Sequence, residues 1–139
     1  MKKVVLITMF LLLTGCMNGN RDFETICNKK EESQGFIYNK SYKIYSNSDN
    51  EITKIIEIHK LEYTNDLGKS SFDASKLSLN SYAKTKDFEM KIIKDLDNIY
   101  EVNFVMEIDK LNDDELEKIS IKRNYQNQLK EYKKDMKCD

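Results

Sequence analysis

The alternation from Tyr100 to Ile108 narrows the fold most. Tyr100, Val102, Phe104, Met106 and Ile108 are apolar, Glu101, Asn103 and Glu107 between them are polar, and only Val105 departs. Successive side chains of a strand point to opposite faces, so this is a strand with one face on a core and the other in water, the usual state of an antiparallel sheet. Just before it, Phe88, Met90 and Ile92 alternate with Glu89, Lys91 and Ile93, and Asp95 to Asn98 forms a turn. The two segments are expected to pair as a hairpin.

The same period runs through the earlier chain. Phe23, Thr25 and Cys27 alternate with Glu24, Ile26 and Asn28; beyond the polar KKEESQG stretch, Phe36, Tyr38, Tyr42 and Ile44 share one phase, broken by Lys40. Ser46 to Asn50 is a polar turn, and Glu51 to Thr64 carries Ile52, Ile55, Ile56, Ile58, Leu61 and Tyr63. Its apolar phase switches near Ile55 and Ile56, which requires either a bulge or partial cover on both faces. Asp66-Leu67-Gly68 closes this run. Ser70 or Ser71 then caps a helix to about Lys86, with Asp73 in its first turn and Phe72, Leu79, Tyr82 and Ala83 on one face. Asn112 and Glu115 have capping-box spacing ahead of a short helix through Leu116 and Ile119. Asn124 caps the last helix, where Tyr125, Leu129, Tyr132 and Met136 form a stripe and Lys130, Lys133, Lys134 and Lys137 suit the C-terminal half. The order β-β-β-α-β-β-α-α predicts an α+β fold: a single antiparallel β-sheet of about five strands with helices packed on one face.

The N-terminal segment reads as an address and not as part of this fold. Lys2 and Lys3 precede an apolar stretch from Val4 to Leu13, of secretory-signal length and too short to span a bilayer permanently. Leu13-Thr14-Gly15-Cys16 resembles the bacterial lipobox, in which a leucine and two small residues precede a cysteine. The resemblance implies a diacylglycerol on the Cys16 sulfur, cleavage after residue 15, and fatty acyl chains such as palmitate on the mature protein. Two or three such chains anchor stably where one binds only marginally. Residues 1–15 are thus expected to be a signal peptide, residues 16–22 a short lipidated tether, and residues 23–139 a single domain at the extracytoplasmic face of the cell membrane. Fully extended, Met17 to Asp22 would reach about 20 Å, keeping the domain close to the lipid headgroups.

Loss of the signal takes the formal net charge from −1 to about −3. That balance gives no electrostatic case for nucleic acid, whose binding needs lysine and arginine to neutralise phosphates. With Cys16 committed to lipid, Cys27 and Cys138 remain, one near each end of the domain. An even remainder outside the cytoplasm reads as a disulfide, expected to join the last helix to the first strand. Two free thiols with a redox or metal role are the alternative, without a CxxC spacing to favour it.

Catalytic constellations are not evident. His59, the one histidine, falls mid-strand between Ile58 and Lys60, where a solvated or edge position is the ordinary outcome. GxSxG, HExxH and EF-hand patterns are missing, so no catalytic, metal or cofactor residue is assigned. Asp113, Asp114, Glu115 and Glu117 are read as helix N-terminal acids, not as a cation site. The eight tyrosines fall mostly on apolar phases, which makes them core-lining with hydroxyls near the rim; Tyr45 is out of phase with Tyr38 and Tyr42.

The lipobox, the early Cys27, the YNKSYKIYS and EITKIIEIHKLEY runs, the KLNDDELEKI segment and the near-terminal Cys138 together resemble the YehR-like small bacterial lipoproteins. That resemblance implies lipidation and an α+β domain and supplies no catalytic residue. The expected function is a non-enzymatic, membrane-anchored binding or envelope-structural module, whose partner is the membrane through Cys16 and then an envelope protein or small ligand. The alternatives are an envelope enzyme or enzyme inhibitor, favoured by an exposed polar cluster around His59 with a carboxylate in reach, and a small-ligand carrier, favoured by a large apolar cavity.

Overall fold

A computed structural model describes residues 23–86 and 88–139; the signal, lipobox and tether lie outside them. The described chain forms one antiparallel sheet of six strands, β1 (Phe23–Ser33), β2 (Phe36–Ser46), β3 (Ile52–Tyr63), β4 (Glu89–Asp95), β5 (Ile99–Glu107) and β6 (Lys137–Cys138), in the order β4-β5-β3-β2-β1-β6. Three helices accompany it: α1 (Asp66–Lys86), α2 (Asp113–Lys118) and α3 (Tyr125–Tyr132). The α+β architecture is the expected one, with one strand more. The addition is β6, whose two residues are too few to show periodicity; Cys138 pairs with Cys27 of β1 and is disulfide-bonded to it. Cys138 therefore belongs to the sheet edge and not to the last helix, which ends at Tyr132 before a turn.

Register decides which side chains meet. Ile44, Ile55 and Met106 are in line across β2, β3 and β5, as are Tyr38, Leu61 and Tyr100. On this face α1 brings Phe72, Leu79 and Ala83 against Leu61, Tyr100, Val102 and Phe104. At the other end Leu116 of α2 and Leu129 of α3 cover Cys27, Ile44, Ile55, Met106 and Ile108. The reverse face carries Lys43, Lys54, Ile56, Ile58 and Lys60, all only partly buried. Both options left open for the third strand are realised. The register slips between Tyr45 and Ser46, so that Ile52 and Ile55 both turn inward, while Ile56 and Ile58 lie half-buried outside.

Local capping sets the helix ends. Asn112 and Glu115 form the expected capping box, with Glu115 N–H donating to Asn112 Oδ1 at 2.9 Å and Asn112 N–H to Glu115 Oε2 at 2.8 Å. Asn124 Oδ1 accepts from Asn127 N–H at 3.0 Å and starts α3. The first helix begins earlier than its serines imply, because Asn65 Oδ1 accepts the Gly68 N–H at 2.9 Å and so caps it from Asp66. Gly68 then packs on the β1–β2 turn, where Gly35 holds φ at +83°. A Cβ at Gly68 would fall on the Gly35 carbonyl and lie 2.7 Å from Phe36 N, both backbone atoms. Gly68→Ala is therefore expected to destabilise the protein by about 1–3 kcal/mol, the scale of overpacking. Alanine's better helix propensity is worth only about 1 kcal/mol in return. A urea titration showing Gly68→Ala equal to or above wild type would contradict the close approach.

Candidate functional site

Three polar residues interrupt the apolar phase of the two central strands, and strand pairing brings them together. Lys40 of β2 lies opposite His59 of β3, and Tyr42 lies opposite Glu57. All four side chains share the phase of Ile44, Ile55 and Leu61, so they enter the layer between sheet and helices. His59 and Glu57 are 3% and 4% exposed. This corrects the solvated or edge position expected for His59, because β3 is an interior strand with β2 on one side and β5 on the other.

Glu57 Oε1 is the hub. Lys40 Nζ lies 2.8 Å from it and the Tyr42 hydroxyl donates to it at 3.1 Å. His59 Nε2 is 3.0 Å away without hydrogen-bond alignment, an electrostatic contact that leaves Nε2 unpartnered among the described residues. Across the ring, Nδ1 is 2.5 Å from the Tyr38 hydroxyl. Where that hydroxyl donates to Nδ1, the ring's N–H is on Nε2, towards Glu57. Burial presses the Glu57 carboxyl upward, but His59 and the Lys40 ammonium outweigh it and hold its pKa at about 2. Burial raises the Tyr38 phenol to about 12 and the Tyr42 and Tyr132 phenols likewise upward, so all three stay protonated at neutral pH.

The two helical groups part above this hub. Between Tyr82 of α1 and the segment from Ile119 through Tyr132 is a crevice of about 220 Å³ floored by Tyr42, Glu57 and Met106. Tyr132 stacks on Tyr42 with ring centres 4.3 Å apart and planes 15° from parallel, and its buried hydroxyl is faced by the Gln128 side chain without a well-aligned hydrogen bond among the described residues. A second recess of about 210 Å³ shares Tyr42 and Tyr132 and leads past Lys40 to Lys29. Gln128, also lining the crevice, is 2% exposed and accepts the Lys122 N–H at 2.8 Å through Oε1.

Of the residues singled out from sequence, Cys27 and Cys138 are joined, and Cys16 lies outside the described residues. The acids of the 113–117 segment act locally: Glu115 closes the capping box, and Asp113 faces Arg123 at 3.4 Å. Tyrosine hydroxyls do reach polar partners, as in Tyr100 to Asn80 at 2.9 Å and Tyr125 with Thr25 at 2.6 Å. Tyr45, on the outer face, is half-buried beneath Lys54. Lys40 and Glu57 were not anticipated as a site. Each is one break in an alternation, and the available signal was that both breaks fall in strands that pair. No family model matches the chain, and no curated protein or solved structure matches it.

Proposed function

We propose that this chain is a lipoprotein held at the extracytoplasmic face of the cell membrane by acyl chains on Cys16, and that it works as a non-enzymatic binding module. The binding element is the crevice over Glu57. The observation that carries the reading is a buried, ionised carboxylate at the floor of an opening lined by phenols. Such concave sites, with a few fixed polar groups among apolar walls, are the usual form of small-molecule recognition.

The same chemistry weighs against the enzyme reading. A general base works best with a pKa near the ambient pH, and Glu57 is held at about 2. His59 has one ring nitrogen engaged by Tyr38 and the other facing Glu57, and at 3% exposure it is shielded from solvent. A carrier of large apolar ligands is also disfavoured, since the crevice is small with a polar floor and the larger recess beside α2, about 610 Å³, is lined by Asp113, Glu117, Lys122, Arg123 and Glu131. The lipobox and the resemblance to YehR-like lipoproteins support the tether.

Intact mass of the protein isolated from its own membrane tests the anchor. Loss of residues 1 to 15 with added acyl chains is expected, and Cys16→Ser is expected to leave the protein unacylated. An unlipidated native protein would overturn the tethered reading.

A further inference from the structure

We propose that the crevice takes a small, uncharged, hydroxyl-rich ligand, a single sugar ring or cyclic polyol. This deepens the reading of the crevice as the binding element and rests on it. Charge is the first consideration. The Glu57 carboxylate is already met by Lys40 at 2.8 Å and faced by His59. In the adjoining recess Lys29 pairs with Glu31 at 2.7 Å, and Glu131 pairs with Lys122 at 2.9 Å and with Lys134. These pairings leave the crevice floor and the recess beside it with little uncompensated charge to select an ion.

What the site offers is hydrogen bonding of mixed sense. The buried Tyr132 hydroxyl is faced by the Gln128 side chain but makes no well-aligned hydrogen bond among the described residues, and it can both donate and accept. Tyr42 spends its proton on Glu57 and keeps its lone pairs; Gln128 spends its carbonyl on Lys122 and keeps amide hydrogens. Groups of both senses around one opening are met by hydroxyls, which also donate and accept. Leaving a buried phenol unsatisfied is unfavourable, and a ligand hydroxyl would relieve it. The walls suit the same ligand. Tyr82, Met106, Ile119 and Ile121 present apolar surface to the C–H faces of a ring, and about 220 Å³ admits one small ring and no chain of them.

Saturation-transfer NMR on the full-length chain in polyoxyethylene detergent, which contains no sugar, tests this with D-glucose, N-acetyl-D-glucosamine and myo-inositol against choline and acetate. At least one neutral probe is expected to bind. Tyr132→Phe, which removes one hydroxyl and keeps the stacked ring, is expected to weaken it about tenfold, with the thermal midpoint little changed. Ile121→Trp, which fills the opening from its rim, is expected to abolish binding. Preferential binding of choline or acetate, sensitive to both variants, would overturn the ligand class and leave the binding module standing. No transfer to any probe would overturn the ligand class as well. Transfer equal in wild type and both variants would remove the crevice as the binding element, whether or not the lipid anchor is found.

Discussion

Replacing both Cys27 and Cys138 with serine is expected to lower stability by about 4–5 kcal/mol, the chain-entropy value for a loop of roughly a hundred residues. The bond spans 111 residues, nearly the whole described chain, so its loss frees both ends at once. The native contacts that would remain are few. β6 holds β1 through Cys27 with Cys138 and Asn28 with Lys137, and Asp139 N–H adds one bond to the Ile26 carbonyl at 3.0 Å. Fraying there would reach Met136 and Tyr132, which pack on the core beside Tyr42, and so would loosen the crevice wall. Urea unfolding of wild type and the double serine variant measures the difference. A loss under about 1 kcal/mol would mean that α3 and its neighbours hold the C-terminal segment without the bond.

That segment also shows where sequence patterns stop being informative. The alternation of Tyr100 to Met106 and the Asn112–Glu115 box are local signals, and the described chain obeys both. The Tyr125–Leu129–Tyr132–Met136 stripe extends beyond its helix, which ends at Tyr132; a turn then leads to Lys137 and Cys138 at the sheet edge. Asp66-Leu67-Gly68 reads as the end of the strand run ahead of a helix capped by Ser70 or Ser71, yet it is the first turn of α1: Asn65 caps it, and glycine is the residue that can approach the Gly35 turn. The polar hub was the least legible feature. Lys40, Glu57 and His59 each break a local pattern, and a single break in a half-buried strand is ordinarily solvated. Only the pairing of β2 with β3, which sets Lys40 opposite His59 and Tyr42 opposite Glu57, turns three separate breaks into one buried cluster.

Glu57→Gln is expected to destabilise the protein at neutral pH by roughly 3 kcal/mol, and that difference is expected to vanish in acid. The magnitude follows from a carboxyl whose pKa falls from 4.5 to about 2 on folding, each unit being worth about 1.4 kcal/mol. A depressed folded pKa contributes stability that is complete above the unfolded value. It is lost as pH falls from about 4.5 through about 2, because the folded state is the last to take up the proton. Glutamine has the shape of the carboxyl without this linkage, so the two stability curves should converge near pH 2. Lys40→Met supplies the converse. It removes the Lys40 ammonium from Glu57 Oε1 and leaves His59 alone to oppose burial, so the Glu57 pKa should rise and the acid transition should move to higher pH. Urea midpoints measured from pH 7 down to pH 2 decide it. A Glu57→Gln deficit that stayed constant across that range would show that packing, and not the ionised carboxylate, is what Glu57 contributes. The crevice would then lose the ionised carboxylate that holds the Tyr42 hydroxyl at its floor, the observation on which the binding reading rests.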